Sequence, residues 1–391
     1  MSERFLPYGR QWIDDADIEA VTACLRSDYL TTGPAVTAFE AAFAKTVDAP
    51  HALSCHSATA GLHLAYDALG LKPGQCAIVP AITFVATANA ARYCGADVIL
   101  CDVDPDSGLM TPETLSEALQ ALDGRGGLIA PVHLAGVPCD MPALSALARE
   151  HGLSVVEDAS HAVGSLDENG APTGACPHSD AAVFSFHPVK TLACGEGGMV
   201  TTRDAALAER VMLARSHGVV REAEQFERGE GAGEPWWYEM QALGWNYRMP
   251  DINAALGLSQ LNKLDRFAAR RRQLARAYDD LLAGLGPLVA PPAGRAGVDP
   301  CRHLYNIQID FEAAGQSRAQ VMADLRHHGV GTQVHYIPVH QHPYYVRLNG
   351  EQKLPGAERH YARTLSLPLY PMMADEDPEW VVSALKAVLG L

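Results

Sequence analysis

Between residues 37 and 210, short apolar runs rich in β-branched residues alternate with helical stretches, and this alternation leaves few ways for the chain to fold. The runs fall at 77–80, 98–103, 128–133, 153–157 and 181–186, with helical patterns such as 58–69 and 141–151 between them. Strands that alternate with helices predict a parallel sheet covered on both faces. The runs show little polar alternation, as expected of strands buried on both sides. The expected class is therefore α/β with a mostly parallel sheet.

A chain of 391 residues suits about two domains at the usual ~100–200 residues each. Hydrophobic residues make up 48%, enough for a large core, and the charged fraction of 19% argues against disorder. The stretch 220–233 is charged and carries Gly229, Gly231 and Gly233, which predicts a mobile surface loop. A long helix is expected over 251–285, where Leu258, Leu261, Leu264 and Phe267 recur at helical spacing. A Pro/Gly-rich connection follows at 286–300. The remainder reads as a smaller α+β unit, with strands at 303–311 and 333–338, a helix at 318–328 and a closing helix at 379–389. The expected division is a large domain over 1–265, including an N-terminal substrate arm, and a small domain over 266–391.

Formal net charge is −16, which disfavours nucleic acid as a partner because phosphate backbones call for a broad cationic surface. A small anion remains admissible, since backbone amides at a helix N-terminus can hold a phosphate whatever the global charge. Nine scattered cysteines with no Cys-x-x-Cys argue against a disulfide framework and fit a reducing, cytoplasmic compartment. The first twenty residues are polar and acidic, unlike a signal peptide, and no apolar run reaches the length of a membrane span. His327, His328, His335, His340 and His342 lack flanking Cys or carboxylates at ligand spacing, so no metal site is expected.

Four segments carry chemistry. Ser57-Ala58-Thr59 opens a helix whose apolar stripe is Ala58, Leu62, Ala65 and Leu69, and its first amides form a possible phosphate site. Plain N-capping by Ser57 is the competing reading. Asp158 falls at the carboxyl end of a buried strand, where open α/β sheets bind ligands. A carboxylate there can pair with a protonated pyridine nitrogen, or simply cap the next turn. Lys190 follows the run 183–189, with Ser185 five residues before it and Gly195-Glu196-Gly197-Gly198 after it. A lysine so placed can bond to a cofactor aldehyde and later move protons, although a lone lysine is more often a solvated charge. The fourth segment, Gly244-Trp245-Asn246-Tyr247-Arg248-Met249, flanks an amide and a guanidinium with aromatics, and is either a wall of a polar pocket or an ordinary helix entry.

Each segment alone is weak, whereas their order is specific. With Phe84 in Thr83–Asn89, the Asp158-Ala159-Ser160-His161 stretch, Phe184-Ser185-Phe186-His187, Arg215-Ser216-His217-Gly218, the run 255–261 and Val334-His335-Tyr336, the chain resembles the DegT/DnrJ/EryC1/StrS sugar-nucleotide aminotransferases. The resemblance runs from Tyr8 to the C-terminal helix and is strongest to the pseudaminic acid branch, which aminates C4. It implies an aspartate-aminotransferase-like fold of type I and pyridoxal 5′-phosphate as cofactor. It further implies that Lys190 holds the cofactor covalently and Asp158 pairs with its ring nitrogen. Phe84 would stack on the ring, with His161 near its hydroxyl side. Ser57, Ala58, Thr59 and Ser185 would hold the phosphate. Asn246 would reach the partner subunit's phosphate, which makes the active unit a homodimer. Tyr8, Asp28, Tyr29, Leu30, Thr31, His335 and Tyr336 would line the pocket for a nucleotide sugar. The expected acceptor is a UDP-linked 4-keto-6-deoxy-N-acetylhexosamine and the donor L-glutamate. The alternatives are a GDP- or dTDP-linked keto sugar, or a non-catalytic regulatory module on the same fold. Two departures stand out: His56 replaces the family's usual Asn, and Asp28 puts an acid where an anionic nucleotide is expected. Lys190 itself argues against the branch that carries His there and acts as dehydratases.

Overall fold

A computed structural model of the chain describes residues 4–228, 231 and 233–391. Seven strands build the larger sheet: β1 (His51–Cys55), β2 (Cys76–Pro80), β3 (Asp97–Cys101), β4 (Gly127–Ile129), β5 (Ser154–Asp158), β6 (Ala181–Ser185) and β7 (Gly198–Thr202). Their spatial order is β1-β7-β6-β5-β4-β2-β3. Pairings from β6 through β3 are parallel, and β7 runs antiparallel to both β6 and β1. Strands such as β2 are buried at every position because helices cover both faces. The carboxyl ends of β1, β2, β4, β5 and β6 therefore share one edge of the sheet. β7 enters at that same edge, with Gly198 opposite both Cys55 and Ser185.

Beyond it, β8 (Val219–Val220) and β9 (Glu239–Met240) form a small antiparallel ribbon. The loop expected over 220–233 falls partly on residues 229, 230 and 232, which lie outside the described residues. A second sheet contains β10 (Val289–Ala290), β11 (Tyr305–Ile309) and β12 (Thr364–Leu367), all antiparallel. Its core joins Tyr305, Ile307 and Leu365 to Val321, Leu325, Val382 and Leu385 from two helices, and Leu6 of the N-terminal arm packs into it. The helix Leu264–Leu282 spans the two cores, with Leu264 in the first and Leu274, Tyr278 and Leu282 in the second.

Three sequence expectations are corrected. The single helix over 251–285 is two, Asp251–Leu261 and Leu264–Leu282, broken at Asn262 and Lys263. The Lys263 ammonium binds the carboxylates of Asp14 and Asp17 at 2.7 and 2.6 Å, a tertiary anchor that helical periodicity does not register. The strand over 128–133 ends at Ile129, ahead of Pro131, which lacks the N–H that a ladder requires. Residues 333–338 form no strand. Gln333 makes one bridge to Ser366, and His335 and Tyr336, joined by a cis peptide, line the cavity described below. All nine cysteines are free, and no described helix is long and apolar enough to cross a membrane.

Candidate active site

A cavity of about 690 Å³ opens at the shared carboxyl edge of the large sheet. This is where the loops leaving parallel strands diverge and open α/β sheets bind ligands. The residue after β1 and its neighbours start the helix Ala58–Ala68. Ser57 Oγ accepts from the Ala60 amide at 3.2 Å, so the capping reading is correct, and Ser57, Ala58 and Thr59 nevertheless line the cavity. The cap leaves the first helical amides without intrahelical partners, which is the anion-binding arrangement of a helix start. Ser185, at the end of β6, lines the same corner. Gly198 makes this corner possible: a Cβ there would fall 2.6–2.7 Å from the backbone of Ser57 and Ala58.

Asp158 ends β5 and is buried. One carboxylate oxygen accepts from Thr87 Oγ1 at 2.7 Å, and the other accepts from Ser160 N at 3.1 Å and Ser160 Oγ at 2.6 Å. Thr87 is in turn joined to Thr83 at 2.8 Å. Such bonds fix the orientation of the carboxylate at the cavity wall. Lys190, from the turn after β6, lines the same cavity half-buried, and withdrawal from water pushes its pKa down to about 7, with Asp158 opposing the shift. Phe84 presents an open aromatic face, 59% exposed although it lines a concavity.

The second unit closes the cavity. Tyr336 Oη lies 3.0 Å from His161 Nε2, and the Ala135 amide donates to His161 Nδ1 at 3.2 Å. The amide fixes His161 as the Nε2–H tautomer, donating to Tyr336. Burial and the nearby Lys190 hold His161 well below the usual histidine range. His335 Nδ1 pairs with Ser366 Oγ at 2.9 Å, and burial pushes its pKa down to about 3. Tyr8 packs its ring 5.4 Å from that of His335.

Most sequence-predicted site residues therefore converge: Tyr8, Ser57, Ala58, Thr59, Phe84, Asp158, His161, Ser185, Lys190, His335 and Tyr336 all line the one cavity. Asp28, Tyr29, Leu30, Thr31 and Asn246 do not line it. The first four form an exposed loop tied down by the Asp251 amide, which donates to Leu30 O at 3.0 Å, and Asn246 is exposed beside Ser216. Sequence reasoning missed Thr87, Ser160 and His303. The first two fall inside motifs already noted for other residues, and a second hydroxyl two residues after the Asp is a readable clue. His303 gives no local signal, because it reaches the cavity from the start of β11.

The donor set fits pyridoxal phosphate: a helix-start cradle for a dianion, a fixed carboxylate for a ring N–H, an aromatic face and a lysine with a lowered pKa. The sequence model of the DegT/DnrJ/EryC1/StrS aminotransferase family matches residues 11–386. The chain belongs to this family. It is a pyridoxal-phosphate-dependent sugar aminotransferase of fold type I. It is 39% identical to the spore coat polysaccharide biosynthesis protein SpsC of Bacillus subtilis, over 98% of this chain and 97% of that one. Among solved structures it is similar to Helicobacter pylori PseC, an aminotransferase involved in pseudoaminic acid biosynthesis, with a TM-score of 0.90 and 28% identity over 99% of this chain and all of that one. It is likewise similar to DesI, solved with its TDP-sugar product, with a TM-score of 0.86 and 32% identity over 100% and 94% of the two chains.

Proposed function

We propose that this DegT/DnrJ/EryC1/StrS family member transfers the amino group of L-glutamate to C4 of a UDP-linked 4-keto-6-deoxy-N-acetylhexosamine, in a pathway of the pseudaminic acid type. The observation that carries this reading is the full-length likeness to PseC together with a mouth built from Tyr8, His335 and Tyr336 beside Lys190. Aromatic faces with a hydroxyl or imidazole at the tip suit a sugar ring and a pyrimidine base. The likeness to DesI favours a second reading, a dTDP-linked 4-keto sugar.

When bound, pyridoxal phosphate supplies an aldehyde carbon that carries the amino group and a protonated ring that takes up electron density. In this assignment the Ala58 and Thr59 amides and the Ser185 hydroxyl hold the phosphate, and Asp158 keeps the ring nitrogen protonated. Phe84 covers one ring face and His161 flanks the ring's hydroxyl side. Lys190 Nζ would hold the aldehyde carbon and, when free, would be the base that moves a proton from the donor's α-carbon to the product. Water is excluded by the aromatic wall of Phe84, Tyr336 and Tyr8.

We further assign Asn246 to the partner's phosphate in a homodimer, with the loop Asp28, Tyr29, Leu30 and Thr31 completing the nucleotide pocket at the interface. In the segment before Asn246, Trp236, Tyr238, Met240 and Leu243 leave 53–77% of their surface exposed, apolar area suited to association. We place the boundary between the two units within the helix Leu264–Leu282, near residue 265, and the enzyme in the cytoplasm, where its nine free thiols stay reduced.

The test is a side-by-side kcat/KM for UDP-, dTDP- and GDP-linked 4-keto-6-deoxy sugars, with NMR of the product. A site that bonds specific groups rejects analogues lacking them by large factors. The UDP-linked acetamido sugar should therefore be preferred by at least about tenfold, and preference for a dTDP- or GDP-linked sugar would replace it as the substrate.

A further inference from the structure

His303 is 4% exposed and lines the cavity, and no hydrogen bond among the described residues holds its ring. Its Nδ1 is sealed from solvent without a hydrogen-bond partner among the described residues. A bare lone pair is cheaper to bury unpaired than an N–H, so the ring hydrogen belongs on Nε2, the nitrogen left to face the cavity. Beside it, 4.7 Å away between ring centres, stands His161. Because His161 donates to Tyr336 Oη, the tyrosine's own hydroxyl hydrogen is left over for a group in the cavity. Two donors, His303 Nε2–H and Tyr336 O–H, thus flank His161 on one wall.

The field behind that wall is positive. Arg271 is 1% exposed, and its hydrogen bonds go to the carbonyls of Arg302, His303 and Leu369 at 3.4, 3.2 and 2.9 Å. Among the described residues this guanidinium has no carboxylate partner, and burial lowers its pKa only to about 10, so it is charged at neutral pH. A buried cation held by carbonyls alone stabilises a nearby anion in the cavity. Asp158 is not that anion, since Thr87 and Ser160 orient it and its remaining acceptor capacity is assigned to the cofactor's ring nitrogen.

We propose that His303 and Tyr336, backed by Arg271, form the subsite for a carboxylate of the amino donor. The inference rests on the aminotransferase reading and deepens it. No arginine lines the cavity among the described residues, so the carboxylate is met by neutral donors with a buried charge behind them. Arg271 is a positioning residue: it also fixes the Leu369 carbonyl, while the Leu369 amide donates to Tyr8 O at 3.1 Å, tying this wall to the acceptor side.

The two half-reactions separate the possibilities. The holoenzyme is mixed with L-glutamate and the loss of visible cofactor absorbance followed against donor concentration. The aminated enzyme is separately mixed with the keto-sugar nucleotide. His303→Ala and Tyr336→Phe should each raise the apparent Kd for glutamate about tenfold or more, the loss expected for one hydrogen bond to a charged group. For His303→Ala the acceptor constant should move less than about threefold, and His303→Asn should recover part of the loss; Tyr336 also lines the acceptor mouth, so Tyr336→Phe is read by its glutamate and glutarate constants alone. Glutarate, a non-reactive dicarboxylate, should quench or shift the holoenzyme spectrum in the wild type and do so with the same weakening in the variants. Tyr336→Phe preserves the packing, so its result stands even where His303→Ala folds poorly. Unchanged glutamate and glutarate affinity would overturn the proposal. A rise confined to the sugar would assign the donors to the acceptor, and an equal rise in both would make the residues structural. If no sugar nucleotide is aminated yet the donor half-reaction behaves as stated, the substrate assignment fails and the carboxylate subsite stands.

Discussion

Lys190 and Asp158 face one cavity from neighbouring strand ends, and each is tuned by its surroundings. Only the free amine of Lys190 attacks an aldehyde, and its pKa is lowered by burial to about 7. Attachment of pyridoxal phosphate to the cofactor-free protein should therefore accelerate with pH up to about 7 and level off above it, as read by growth of visible absorbance. A rate still climbing at pH 9 would contradict this. The same shift has a stability consequence. The folded pKa lies below the unfolded value of 10.5, so the unfolded chain binds more protons between about 7 and 10.5. Stability of the cofactor-free protein should rise with pH across that window, and Lys190→Ala should flatten the slope in urea titrations. For Asp158→Asn the shape is kept and the charge lost. Cofactor content should stay near normal while turnover drops about tenfold to a hundredfold, the loss expected for a charge-assisted bond of about 1.5–3 kcal/mol. Near-normal turnover would refute the electronic role. These two residues stood out in the sequence because Asp158 ends a buried strand and Lys190 lies in the turn after the next one. Thr87 and Ser160, which orient Asp158, were not, because a hydroxyl's partner is set by where its neighbours pack.

The elements were legible to the extent that their burial is periodic. The helix Ala58–Ala68 and strands β2, β5 and β6 follow the apolar pattern closely. Two shorter elements depend on contacts instead. β7 packs against the helix start through Gly198, where no Cβ fits. Gly198→Ala should cost about 1–3 kcal/mol of stability through overpacking and should also loosen the phosphate cradle. Chemical denaturation and a cofactor titration on one preparation would show both effects, and retention of both properties would mean the backbone yields at little cost. The stretch 333–338 has the alternation of a strand, yet it serves the cavity: Gln333 alone bridges to Ser366, and His335 and Tyr336 are committed to the site. Period-two patterning reports which side chains are buried, and burial in a pocket wall mimics burial in a sheet.

At the scale of the molecule, the residues that do not reach their own cavity are those assigned to the interface. In mixtures of Lys190→Ala and Asn246→Ala subunits, each heterodimer should regain one sound site, so random pairing restores about a quarter of the wild-type sites. Heterodimers shown to form without activity would count against a shared site. Local pattern carried the α/β class and singled out Lys190, Asp158 and the helix start at Ser57-Ala58-Thr59, whose roles toward the cofactor are those proposed above, because each lies where a buried strand meets a turn. Long-range packing alone set the broken helix at Lys263, the use of 333–338 as a cavity wall in place of a strand, and the position of His303 against the buried Arg271. These depend on partners far apart in the chain, and a desolvated charge or an unpaired imidazole is a property of the packed surroundings that no stretch of sequence contains.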